Sequence, residues 1–162
     1  MPKLISREKA VPLSTKLLSV LAFLLWASLA VAQSYLGQLF DGGAKGLSAD
    51  EFKEEVVQRV IIGPTPSGSS LEIMYTTNGL ISGRGTHQLA GTPTAAIEGE
   101  WKIDDSGKIC TSMRIGGGPG GAVTGVMLPP RCQFWFKYKE DYFISDSDSD
   151  RSTRVLRRTL KQ

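Results

Sequence analysis

From Leu71 to Leu160 the chain reads as short runs with strand character, each cut off by turn chemistry, and this rhythm restricts the fold more than any other feature. The runs are Leu71–Thr77, Leu80–Leu89, Thr94–Ile103, Lys108–Arg114, Ala122–Leu128, Arg131–Lys139, Tyr142–Ser145 and Thr153–Leu160. Asn78-Gly79 is a two-residue hairpin signal, because both residues tolerate positive φ. Asp104-Asp105-Ser106-Gly107 marks a second hairpin, while Gly91-Thr92-Pro93, Pro129-Pro130 and the Asp/Ser run after Ser145 separate the others. Strands this short and this closely joined pair with their sequence neighbours. The predicted fold class is therefore mainly β, an antiparallel meander forming a curved sheet or small barrel. Gly83 and Gly85, inside one run, indicate a bulge or a close backbone approach.

One helix precedes the strands. Ser48 and Glu51 form a capping box, and Phe52, Val56 and Val60 recur on one face, with Lys53, Glu54, Gln58 and Arg59 elsewhere. Gly63-Pro64 and the turn residues after it end this N-terminal amphipathic helix, whose apolar stripe must dock on the sheet. Residues 33–46 read as a Gly-rich flexible lead with scattered Tyr35, Leu36, Leu39 and Phe40. The expected organisation is a signal segment over 1–32, the lead over 33–46, and one β-rich domain over 47–162.

The signal reading rests on order. Lys3, Arg7, Lys9 and Lys16 precede the apolar run Leu17–Ala32, and Ala30 and Ala32 make a small-residue cleavage site before Gln33. The run is at or below the ~17 to 25 residues a spanning helix needs, so cleavage is expected over a retained anchor. Neither cysteine lies near this site, which excludes a lipoprotein anchor. Of 19 basic and 16 acidic residues, four basic and one acidic fall in this segment, leaving residues 33–162 neutral. The pI of about 8.9 is thus a property of the leader and gives no support to a nucleic-acid partner. Export predicts a periplasmic or secreted protein, in which Cys110 and Cys132, the only cysteines, form a disulfide. A loop of that length contributes about 3 kcal/mol in the chain-entropy description.

The chemistry on offer is sparse. Gly116–Gly121 lacks the Lys-Ser/Thr ending of a phosphate-binding loop. Asp146, Asp148 and Asp150 alternate as in a calcium loop, but Arg151 and Arg157 stand where Gly and Glu are required, so a charged turn paired with Arg151 and Arg154 is expected. His87 is the sole histidine and cannot complete a Cys/His zinc set. No metal or cofactor is therefore expected. A small hydrolase would have to use His87, or Glu98 and Glu100 on a shared strand face, and no nucleophile elbow supports it. The aromatics are more informative. Phe134, Trp135 and Phe136 place rings on both faces of one strand, as core or as a stacking surface, with packing the simpler role. A ligand site, if built here, would use Trp101, Trp135 and Phe136 for apolar contact, with His87 nearby and Arg84 or Arg131 for an anionic group.

The segment Gly99-Glu100-Trp101-Lys102-Ile103-Asp104, leading through a turn to Cys110 and later to Arg131-Cys132 and Trp135-Phe136, resembles small exported proteobacterial proteins of unknown function. The helix start Leu47-Ser48-Ala49-Asp50-Glu51 fits the same pattern, so the resemblance spans most of residues 47–145. It implies a secreted β-rich domain with a disulfide and transfers no catalytic residues. The Gly-x-Trp element is also similar to that of lipocalins, although here it lies mid-domain. The expected function is a non-enzymatic binding or interaction protein, its partner an envelope component or a small apolar or anionic ligand. The alternatives are a membrane-anchored accessory subunit, if residues 17–32 are retained, and the His87 hydrolase.

Overall fold

The hairpins at Asn78-Gly79 and Asp104–Gly107 are present, and the strands they join close into a barrel. The computed structural model describes residues 34–65, 69–85, 95–116 and 125–162; the expected signal segment, His87 and most of the Gly-rich loop lie outside these residues. In chain order the elements are α1 (Leu36–Asp41), β1 (Lys45–Gly46), α2 (Ala49–Glu55), β2 (Val60–Pro64), β3 (Ser70–Tyr75), β4 (Leu80–Gly85), β5 (Ala95–Ile103), β6 (Ile109–Ile115), β7 (Val126–Met127), β8 (Arg131–Tyr138), β9 (Asp141–Ser145) and β10 (Leu156–Leu160).

Strands β2 to β6 form an antiparallel meander, β8 to β10 continue it, and β10 returns to β2 with Leu160 opposite Ile61. The last seam joins β6 to β8 through three residue pairs, Ile109 with Gln133, Cys110 with Cys132, and Thr111 with Arg131. Closure through these pairs gives an eight-stranded antiparallel barrel in which each wall strand lies beside its sequence neighbours. The expected disulfide joins the directly opposed Cys110 and Cys132, so the covalent staple sits on the seam that closes the barrel. β7 extends the line of β8 along β6, interrupted by Pro129 and Pro130, which have no N–H to offer a ladder.

Side-chain alternation decides inside from outside. Leu71, Ile73, Tyr75, Ile81, Ile97, Ile109, Trp135 and Ile144 are buried in one interior cluster. The intervening Ser82, Arg84, Glu98, Glu100 and Lys102 are exposed on the outer wall, the reverse of what a lipid-facing barrel requires. Gly83 and Gly99 make the tight coil of β4 and β5 possible. A Cβ at either would lie 2.2 Å from a neighbouring carbonyl oxygen, that of Glu72 or Ser112, which is the close approach anticipated at Gly83. Both hairpin turns are one residue longer than a two-residue turn. At Thr77-Asn78-Gly79 the N–H of Gly79 donates to Thr76 O (3.1 Å), and that of Thr76 to Leu80 O (2.9 Å). Only Gly79 takes positive φ (84°), and Gly107 (81°) does the same in the second turn.

Two expectations upstream are corrected. The helix stops at Glu55 instead of continuing through Val60, which opens β2. Gln58 turns left-handed (φ 66°) and donates its N–H to Tyr75 O (2.7 Å), so a tertiary hydrogen bond at the end of β3 redirects the chain. Residues 33–46 are not a loose lead over their described part. In α1, Leu36 and Leu39 are fully buried with Val155 against Phe136 and Phe143, on the outer face of β8 and β9. β1 then pairs with β8, Lys45 opposite Lys137, beyond the stretch where β8 pairs with β6.

α2 closes one end of the barrel. Its capping box forms as expected, with Ser48 Oγ accepting from Glu51 N and the Glu51 carboxylate accepting from Ser48 N. Phe52, 1% exposed, inserts edge-on among Tyr75, Trp101 and Trp135 at centroid distances of 5.4, 5.5 and 5.1 Å. The helix end is tied down by Glu55, whose Oε2 accepts from Lys137 Nζ (2.6 Å) and Tyr142 Oη (2.8 Å). These bonds, that of Lys137 foremost, hold the Glu55 carboxyl below its usual range. Burial, with the Glu55 carboxylate beside it, pushes the Tyr142 hydroxyl up to about 12.

Candidate functional site

Away from α2 the described residues do not fill the interior. Phe52 and the three rings around it occupy one end, whereas toward the other no aromatic ring lines the described wall, and Gly85 and Thr111 stand among aliphatic side chains around a cavity of about 320 Å³. Its described wall is mostly apolar: Leu71, Ile97, Met113, Ile115, Leu128, Ile144 and Leu156. Polar groups enter at Thr65, Ser69, Ser70, Thr111, Gln133, Arg131 and Arg158. The described lining thus holds two guanidinium groups and no carboxylate.

Arg158 is the unusual member. It is 5% exposed, one of two buried polar or charged residues among those described. Strand alternation puts it there: Leu156 and Arg158 line the cavity and Leu160 packs against the interior cluster, while Arg157 faces outward and pairs with Asp141 (2.7 Å). Its Nη1 donates to Pro64 O (2.7 Å) and Arg157 O (2.9 Å). The side chain passes over Gly63, where a Cβ would come within 2.6 Å of Nη1 and 2.9 Å of Cδ. Burial lowers its pKa to about 10, which leaves it charged at neutral pH. No carboxylate among the described residues pairs with it.

The residues singled out from sequence scatter around this geometry. Arg131 lines the cavity and is exposed. Arg84 faces outward and pairs with Glu72 (3.0 Å), which also accepts from Lys161 (2.8 Å). Trp101 donates Nε1–H to Thr76 O (2.9 Å) and stacks edge-on against Phe52 and Tyr75. Trp135 belongs to the barrel interior, whereas Phe136, on the opposite strand face, packs against Phe40 of α1. These consecutive rings therefore sit in two separate cores and do not form one ligand surface. Glu98 and Glu100 are on the outer wall, paired across the ladder with Arg114 and Ser112. His87 lies outside the described residues.

The remaining motifs fold into local structure. In the Asp146–Asp150 run, Ser147 Oγ accepts from Asp150 N (2.9 Å), and Asp150 accepts from Ser152 Oγ (2.7 Å), which holds its carboxyl below the usual range. Arg151, expected beside these acids, reaches instead to Asp41 of α1 and to Gly37 O (3.2 Å). Among the described residues the one group with metal-ligand spacing is Asp104 with Cys110 and Cys132, whose sulfurs are bonded to each other. Also among the described residues, no helix is long and apolar enough to cross a membrane.

Arg158 escaped the sequence reading because it follows Arg154 and Arg157 in what looks like a solvated basic stretch. The signal was present in the alternation Leu156-Arg158-Leu160, which puts a cation on the apolar face. Set beside known proteins, the chain matches no family model, no curated protein and no solved structure.

Proposed function

We propose that this chain is an exported, non-enzymatic binding protein of the cell envelope that carries one small, mainly apolar ligand inside its barrel. The observation behind this reading is the cavity itself. One end of the barrel is filled by α2 and its aromatic contacts, and the other leaves about 320 Å³ of mostly apolar space with a few convergent polar groups. That volume is at the lower end of the ~300 to 1,000 Å³ range of small-molecule sites. The basic–apolar–small leader and the disulfide on the barrel seam support an oxidising, exported setting.

The test uses a neutral apolar fluorophore, N-phenyl-1-naphthylamine, titrated into the folded, oxidised protein. Saturable one-to-one binding is expected. Gly85→Leu places a side chain at the cavity wall, where a Cβ meets only the flexible Ile97 Cδ1 closely, at 3.2 Å. With circular dichroism unchanged, that variant should bind at least ~10-fold more weakly, the equivalent of 1.4 kcal/mol. Absence of saturable binding to the wild type, or equal binding by the two, would exclude the barrel interior as the site.

A further inference from the structure

We infer that Arg158 reads a carboxylate, so that the ligand is a monocarboxylic amphiphile with its acid head at Arg158 and its apolar tail against the cavity wall. This rests on the barrel-cavity reading and specifies the chemistry of its occupant.

A buried ion is costly unless it is paired and hydrogen-bonded, and Arg158 is only half provided for. Nη1 spends its two hydrogens on Pro64 O and Arg157 O. Those bonds orient the guanidinium but do not neutralise it. Nε and Nη2 have no hydrogen-bond partner among the described residues, yet no buried side-chain nitrogen or oxygen there is left unsatisfied. These donors therefore keep open surface, and the residue that carries them lines the cavity.

The Nε and Nη2 edge of a guanidinium presents two parallel N–H donors, the fork that matches the two oxygens of a carboxylate. The described wall contains no acid, and of its two guanidinium groups Arg131 is exposed to solvent, so the one buried charge, that of Arg158, balances one carboxylate. Gly63 keeps this arrangement free of obstruction, because any side chain there would strike Nη1 and Cδ.

Size limits the tail. An engineered cavity of about 150 Å³ accepts benzene, so roughly twice that space suits a ligand on the order of ten to fifteen non-hydrogen atoms. Decanoate is such a molecule.

The experiment compares decanoate, 1-decanol and decyl phosphate as competitors of N-phenyl-1-naphthylamine on the folded, oxidised protein at pH 7.5, below their micelle concentrations. Decanoate should compete at least ~10-fold better than decanol, in keeping with a charge-assisted hydrogen bond to a buried partner. In Arg158→Met the decanoate affinity should fall about 10- to 100-fold while that of decanol stays within about twofold. The ligand series on the wild type decides the matter if that variant does not fold. Equal competition by decanol, or unchanged decanoate affinity in Arg158→Met, would overturn the carboxylate assignment and leave the cavity reading standing. Tighter competition by decyl phosphate would overturn it in favour of a phosphate head. Failure of the fluorophore and all three amphiphiles to bind would overturn the cavity reading itself.

Discussion

Truncating Phe52 to Ala tests whether α2 closes the barrel as a packed plug or merely rests on it. The ring is 1% exposed, so its removal from water is nearly complete and contributes about 1.5 to 3 kcal/mol. It also meets Tyr75, Trp101 and Trp135 edge-on at 5.1 to 5.5 Å, and contacts of this kind add about 0.5 to 1.5 kcal/mol each. Those three rings come from β3, β5 and β8, hydrogen-bonded members of a closed wall that cannot collapse inward to fill the vacated space. Phe52→Ala should therefore fall near the middle of the ~3 to 5 kcal/mol range for such truncations, at about 4 kcal/mol. Urea unfolding followed by tryptophan fluorescence reads this directly, since Trp101 and Trp135 border the site. With a urea slope of about 2 kcal/mol/M, the midpoint should drop by about 2 M at unchanged slope. A loss below about 1.5 kcal/mol would show that the ring is not held among these aromatics and would refute the plug.

Three further outcomes follow from the same contacts. Replacing both cysteines, Cys110→Ser with Cys132→Ser, removes the staple from a seam of three residue pairs and should cost about 3 kcal/mol in oxidised-versus-variant denaturation; equal midpoints would refute it. Gly83→Ala forces a Cβ to within 2.2 Å of the Glu72 carbonyl oxygen and should cost about 2 to 3 kcal/mol by the same assay. Glu55→Gln should lower stability by about 1 kcal/mol at pH 7. Because the folded Glu55 carboxyl titrates below its ordinary 4.5, its contribution is fully present above that pH and lost as pH falls through the folded value. The gap between wild type and Glu55→Gln should accordingly close in acid, and a gap independent of pH would refute the assignment.

The strands β3 to β6 and β8 to β10 were legible because alternation and turn chemistry agree there with tertiary packing. The same agreement made the capping box at Ser48 and Glu51 readable. Val60 misled because its spacing from Phe52 and Val56 suits a helix, and the breaking residue, Gln58, carries no Gly or Asn signature for its positive φ. α1 is six residues long and β1 two, too short to show a period. What holds them is the outer face of Phe136 and Phe143, which no local pattern reveals. The aromatic cluster drew attention to ligand binding, yet Phe136 and Trp135 serve two cores. The cavity lies where the inward residues are small or unremarkable, which is a property of barrel closure and not of any motif. Arg158 could have been found by strand alternation alone, but its lack of an acid partner required the fold.

Native mass spectrometry of the unreduced protein from its own host tests the barrel-cavity reading most directly. The expected species begins at Gln33, is two hydrogens lighter than the reduced chain, and carries one small acid of about 150 to 250 Da. Gly85→Leu should carry none. A bare protein that takes up neither added decanoate nor N-phenyl-1-naphthylamine, or an adduct retained equally by Gly85→Leu, would contradict a ligand held inside the barrel.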